Sequence, residues 1–379
     1  MKPIRQNVKF DKKLLDKDAH RIIKILNKSS FEAYLVGGCV RDLLLGLKPK
    51  DFDIVTDATP EQIHQLFKRS RIIGRRFRLV HVMFSNRKFL EVATFRAGQV
   101  KTAKNGVIIR DNRYGTMQED VFRRDFGINA LYYDVIHHQV IDYVSGLEDI
   151  KQRMIQMIGD PNVRFEQDPV RMIRAVRFKV KLNAKLSDEV EQAIHQNAAL
   201  MKNVSSARLY EECIKLFHND SSVEVFQQLE HFGLLKYLFA NTQRTEFIDK
   251  ALDNTSKRIR QGKSVTPAFI FAVFLWQDQN KRFEKIKQKR KSSYEAMSEA
   301  CELSIKQQIR QTSLPKWLTK RVKEVWLMQS KLERKQTKKV KQILANPRFR
   351  MAYDFLLLRS KSINPELKKV AKFWTEAQK

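Results

Sequence analysis

The sequence predicts an α/β domain followed by an all-helical remainder, and a change of texture along the chain carries that reading. Residues 31–145 mix short β-branched and aromatic runs with glycine turns. From about residue 150 onward glycine becomes scarce, and apolar residues recur at helical spacing over 182–201, 207–217 and 223–235. With 379 residues the chain can build two or three domains. The boundaries read as a basic N-terminal segment at 1–30, an α/β head at 31–150, a helical segment at 151–240 and a basic helical region at 241–379.

The elements follow in order. Residues 18–26 have the spacing of one amphipathic helix. Ala33 to Val36 reads as a short buried strand, and Cys39 to Leu45 as a helix ended by Gly46. Gly37 and Gly38 then fall at a strand-to-helix turn, with Arg41 in the first turns of the helix. Glycine lets the backbone approach a ligand closely, and a helix N-terminus offers free N–H groups to an anion. A tight turn that merely packs helix on strand fits the same two glycines. The chain lacks the G-x-x-x-x-G-K-[ST] run of a P-loop at this turn.

Asp51 and Asp53 come next, among Phe52, Ile54 and Val55. Strand alternation sends the two aspartates to one face and Phe52 and Ile54 to the other. Two carboxylates on one face repel each other unless a cation lies between them. Mg²⁺ suits such a site because it takes oxygen ligands and keeps substrate phosphates in its shell. A solvated loop is the plainer reading of an isolated D-x-D. Residues 88–96 read as a further strand whose one acid is Glu91. If that strand neighbours the aspartates, Glu91 completes the set, and otherwise it is an exposed strand glutamate. A helix starting near Asp168, with Pro169 in its first turn, sets Asp168, Arg171, Arg174 and Arg177 on one face. A solvated face with i,i+3 pairing fits that stripe as well.

The formal charge is +31, with 73 Lys and Arg against 42 Asp and Glu. Such a balance points to a polyanion partner, most simply nucleic acid. Basic runs at 281–291 and 330–341 read as linkers or RNA-facing helix surfaces. Trp317, Trp326 and Phe349 read as core residues rather than base-stacking platforms. Cys39, Cys213 and Cys301 show no metal or disulfide spacing. His137-His138 reads as a loop or turn. The N-terminus lacks an apolar h-region and the run 267–276 is too short to span a membrane, so a soluble cytoplasmic protein is expected.

Several blocks carry a resemblance. GGCVRDLLLG (37–46), KDFDI (50–54), VATFR (92–96), RRDFGINA (123–130) and EQDPVR (166–171) resemble, in that order, the class II template-independent RNA nucleotidyltransferases. This family includes CCA-adding enzymes and bacterial poly(A) polymerases. The stretches 72–82, 90–96, 110–116, 314–326 and 346–360 are similar to its poly(A) polymerase branch. The resemblance implies a nucleotidyltransferase-type mixed sheet followed by helical neck, body and tail. It also implies addition of AMP from ATP to RNA 3′ ends with release of pyrophosphate. Asp51 and Asp53 would bind two Mg²⁺ ions with Glu91 assisting. Gly37 and Gly38 would cradle the phosphates, Arg124 and Asp125 would lie on the ribose side, and Arg41 and Asn129 would also belong to the nucleotide-binding set. Asp168, Arg171 and Arg174 would read the base. The implied partners are RNA and ATP, with no membrane. CCA addition, or RNA binding by an inactive head, are the other readings. Two residues depart from the family: Gly127 stands where it has Thr, and Gln167 where it has Glu. The segment 97–108 also looks shorter than the corresponding loop.

Overall fold

The computed structural model describes residues 2–74, 78–97, 101–102, 108–110, 113–289, 292–334 and 339–378. The departure in loop length at 97–108 falls mostly outside them. The chain forms two compact units, Met1–Arg164 with Leu182–Ala193, and Phe165–Lys181 with Ile194–Lys379.

The first unit is built on an eight-stranded mixed sheet. Its strands are β1 (Ile4–Asn7), β2 (Ala33–Val36), β3 (Asp53–Thr56), β4 (Ser70–Ile73), β5 (Leu79–Met83), β6 (Phe89–Thr94), β9 (Tyr132–Asp134) and β10 (Gln139–Asp142). The short strands β7 (Lys101–Thr102) and β8 (Ile108–Arg110) pair separately. The spatial order is β1-β10-β9-β2-β3-β6-β5-β4. β3 and β6 run parallel, and the other described neighbours are antiparallel. Helices and turns cover both faces, which explains the apolar runs in the central strands. Leu35, Ile54, Val92 and Tyr133 join one core. Tyr34, Val36, Val55 and Tyr132 join the other.

The N-terminal residues belong to this unit. β1 edges the sheet, and the helix Lys17–Lys28 buries Ala19, Ile22, Ile23 and Leu26. Asp16 caps that helix by accepting from the amides of Asp18 and Ala19 at 2.8 and 3.1 Å. The predicted helix after the glycine pair spans Gly38–Leu44. The helix predicted over 182–201 is shorter, because Lys185–Leu186 pairs in parallel with Met154–Ile155 and the helix runs Asp188–Asn197. Helical spacing in the first residues of that stretch lost to a strand partner distant in sequence. His137 and His138 lie in the β9–β10 turn, as expected.

The second unit is helical. An edge-to-face phenylalanine cluster fills part of its core, with Phe217, Phe239 and Phe274 at centroid separations of 4.9–6.1 Å. Trp326 and Phe349 are core residues, as predicted. Buried Trp326 Nε1 donates to the Ala272 carbonyl at 3.1 Å. Trp317 is not core: it is 45% exposed. Among the described residues, no helix is long and apolar enough to cross a membrane.

Candidate active site

The parallel pairing of β3 with β6 sets Asp53 in register with Glu91. Both therefore project from the same face of neighbouring strands. The condition placed on Glu91 by the sequence, adjacency of its strand, is met. Phe52 and Ile54 are buried while Asp51 and Asp53 are exposed, so the alternation holds. The strand itself begins at Asp53, and Asp51 lies in the segment leading into it. Although Asp53 as a whole residue is open to solvent, protein atoms packed around its carboxyl desolvate that group and raise it above its ordinary range; the charge of Glu91 and, less strongly, that of Asp51 add to this, and Arg124 opposes it. Asp53 thus sits beside like charge that, among the described residues, Arg124 relieves in part.

His81 extends the row. It is in register with Glu91 across the β5–β6 pair. Its Nε2 lies 3.3 Å from Glu91 Oε1, and its ring stacks on Phe89 at 4.2 Å. Sequence reasoning passed over His81, although the spacing of two alternating strands could have paired it with Glu91.

The glycine turn lies at the end of β2. Gly37 has φ of 76°, a backbone that favours glycine, and its amide donates to the Leu131 carbonyl at 3.1 Å. A Cβ on Gly37 would come 3.4 Å from Arg124 Nη1, so the guanidinium closes directly over the turn. Gly38 starts the helix, whose first amides have no intrahelical acceptor.

Arg124 is the hub behind the turn. Its Nε and Nη2 donate to Asp120 Oδ2 at 3.2 and 2.9 Å, and Nε also reaches the Tyr132 hydroxyl at 3.1 Å. The Tyr132 hydroxyl donates to the same Asp120 oxygen at 2.7 Å. Burial raises the Asp120 carboxyl, but the Arg124 charge and the Tyr132 hydrogen bond outweigh it and hold the group below its usual range. Sequence reasoning missed Asp120 and Tyr132. Asp120 lies four residues before Arg124 on the helical run Met117–Arg123, a pairing distance that could have signalled it.

Arg41 turns inward. It is buried, donates to Asp42 Oδ1 at 2.6 and 2.9 Å, and donates to Asn129 Oδ1 at 2.6 Å. Asn129 Nδ2 in turn reaches Asp125 Oδ1 at 3.4 Å. Arg41 therefore braces the turn that carries Asn129 and Asp125. Cys39 is buried, its Sγ 3.3 Å from the Val36 carbonyl, and burial pushes its thiol up to about 12, which makes it inert.

The remaining candidates lie on the second unit. The helix there spans Val170–Lys181, and Asp168 just precedes it. Asp168 Oδ1 accepts from the Val170 amide at 3.3 Å, and Oδ2 pairs with Arg208 at 2.9 Å. Arg171, Arg174 and Arg177 are half-buried along one stripe. Arg177 lies over the Phe178 ring at 4.6 Å and 3.7 Å from Glu212.

Comparisons with known proteins agree with this architecture. The profile of the poly A polymerase head domain matches residues 33–156. Those of a probable RNA and SrmB-binding site of polymerase A and of the polymerase A arginine-rich C-terminus match 183–244 and 288–379. Poly(A) polymerase I of Salmonella typhi is 40% identical, over 99% of this chain and 85% of that one. A CCA-adding enzyme of Lactobacillus helveticus is 39% identical, but over 59% of this chain and 53% of its own. The crystal structure of the Bacillus stearothermophilus CCA-adding enzyme in complex with CTP superposes with a TM-score of 0.66 at 26% identity, covering 95% of this chain and 82% of that one.

Proposed function

The chain belongs to the poly(A) polymerase family, and we infer that it is a template-independent polynucleotide adenylyltransferase. It adds AMP from ATP to RNA 3′ ends and releases pyrophosphate. Sequence similarity to poly(A) polymerase I over 99% of this chain, against 59% for the CCA-adding enzyme of Lactobacillus helveticus, favours poly(A) addition.

The observation that carries the mechanism is the register of Asp53 with Glu91, with Asp51 two residues away. The donor set is all carboxylate and bears repulsion that a divalent cation relieves, so it fits Mg²⁺. Asp51 and Asp53 would hold two ions with Glu91 beside them; when bound, these supply charge neutralisation at the α-phosphate and activation of the attacking hydroxyl. The protein's own groups orient the nucleotide. The Gly37–Gly38 turn receives the triphosphate, with Arg124 as the cation behind it. Asp125 and Asn129, braced by Arg41, face the ribose. Asp168 accepts from the adenine amine, Arg171 donates to a ring nitrogen, and Arg174 supports that helix. Catalysis rests on positioning and charge rather than on a covalent intermediate.

The division of labour follows the proposed domains: a head at 31–150, a base-reading neck at 151–240 and an RNA-holding body and tail at 241–379. The substrates are the 3′ ends of mRNA or other transcripts, and the protein works in the cytoplasm. The test supplies RNA, Mg²⁺ and each NTP singly and sizes the products. Long homopolymeric extension with ATP alone is expected. Addition of CTP and ATP to tRNA ends, followed by a stop, replaces this reading with CCA addition.

A further inference from the structure

Two histidines stand together at the C-terminal ends of two helices. His195 lies in the last turn of Asp188–Asn197, and His231 is the last residue of the helix Ser222–His231. Their rings meet edge to face, with centroids 5.9 Å apart. Both rings also pack on Phe232, at 5.2 and 4.9 Å. Phe232 is 1% exposed, so it anchors two imidazoles that are themselves exposed. His195 and His231 belong to the second unit. Glu191 stands one turn before His195 on the same continuous helix, a spacing that puts both on one face.

Glu191, His195 and His231 each offer one ligand atom, and these atoms lie within 4.8 Å of one another. Among the described residues, no hydrogen bond or ion pair takes up the Glu191 carboxylate or either imidazole. The last carbonyls of each helix have no intrahelical partner, and their partial negative charge favours a cation at this place. Two imidazoles and a carboxylate suit Zn²⁺ and its transition-metal neighbours, whereas Mg²⁺ prefers oxygen ligands alone. The donor chemistry therefore differs from that of the carboxylates around Asp53. Around a tetrahedral Zn²⁺ with bonds of about 2.0–2.1 Å, donor atoms stand roughly 3.3 Å apart, so the three must close by at most about 1.5 Å. Exposed side chains make such a move by changing rotamer.

We propose that Glu191, His195 and His231 form a site for one Zn²⁺-class ion, which ties the ends of the two helices together. Water completes the fourth position. The site is independent of the adenylyltransferase reading.

The test uses the full chain, stripped with EDTA and dialysed into excess Mg²⁺, which competes at carboxylate sites. Zn²⁺ is then titrated against a chromophoric chelator. The wild type should bind one Zn²⁺ more than the His195→Ala/His231→Ala chain, and each single His variant should lose that ion. Glu191→Gln keeps the shape of the side chain and should weaken binding about tenfold or more. Zn²⁺ should also slow amide hydrogen exchange over 188–197 and 222–231 in the wild type and leave the double variant unchanged. Equal stoichiometry and affinity in the wild type and the double variant overturn the proposal. Wild-type affinity in Glu191→Gln overturns the three-residue site. Loss of the ion in one single His variant but not in the other puts the ion on one helix and overturns the bridge, as does wild-type exchange that Zn²⁺ leaves unchanged.

Discussion

At Gly127 a side chain would collide with the carboxylate of Asp149 as it stands. A Cβ there would stand 2.1 Å from Asp149 Oδ2. The departure from the threonine of the resembling enzymes is thus matched by an aspartate that fills its space. Burial, then the charges of Asp142 and Glu148, push the Asp149 carboxyl from 3.8 up to about 7. Below about pH 4 the carboxyl is protonated in both folded and unfolded chains. Between there and about 7 the unfolded chain releases its proton while the folded one keeps it. Stability contributed by this group is therefore lost as pH rises through that window. Asp149→Asn removes the dependence. Its Tm should match the wild type near pH 4 and exceed it increasingly up to pH 8. A Tm difference that stays constant across this range would mean that Asp149 is ionised in the fold. A second residue-scale prediction concerns Asp168. Replacing it with Ala should cost about 1–3 kcal/mol of ATP-over-UTP discrimination, measured as the ratio of kcat/KM values. Full retention of ATP preference would assign base reading to other residues.

Elements set how much could be read in advance. β2, β3, β6 and the helix after Gly37 were legible because each has a local period bounded by glycine or charge, and the register of β3 with β6 then delivered Glu91. The Asp120–Arg124–Tyr132 hub was not legible as a unit. It joins the helix Met117–Arg123 to β9 across the fold, and no sequence period encodes such a meeting. Lys185–Leu186 escaped for the same reason, since a strand of two residues exists only through its partner. Trp317 escaped because helical spacing places it beside core positions without saying which side faces solvent. The contact between the helix Gly146–Gln152 and the turn Gly127–Asn129 gives a test at this scale. A Cβ on Gly146 would stand 2.2 Å from the Gly127 carbonyl oxygen and 2.8 Å from its carbon. This is backbone and cannot swing aside, so Gly146→Ala should destabilise the chain by about 1–3 kcal/mol in urea unfolding. An unchanged midpoint would mean that the two elements can separate without cost.

Over the whole molecule, chemistry and charge are divided between the two units. The carboxylates and the glycine turn belong to the first, while the arginine stripe belongs to the second. The formal charge of +31 makes affinity for RNA an electrostatic quantity that falls steeply with salt. Binding and transfer are thus separable, and the most direct measurement exploits this. Asp53→Ala removes the carboxylate that is in register with Glu91 and leaves the basic surfaces intact. AMP addition to an RNA primer and RNA affinity are measured on the same preparation at one salt concentration. The account predicts that addition falls below detection while Kd for RNA stays within about twofold of the wild type, since the lost group is anionic and phosphate contacts carry the affinity. Appreciable AMP addition by Asp53→Ala would contradict it.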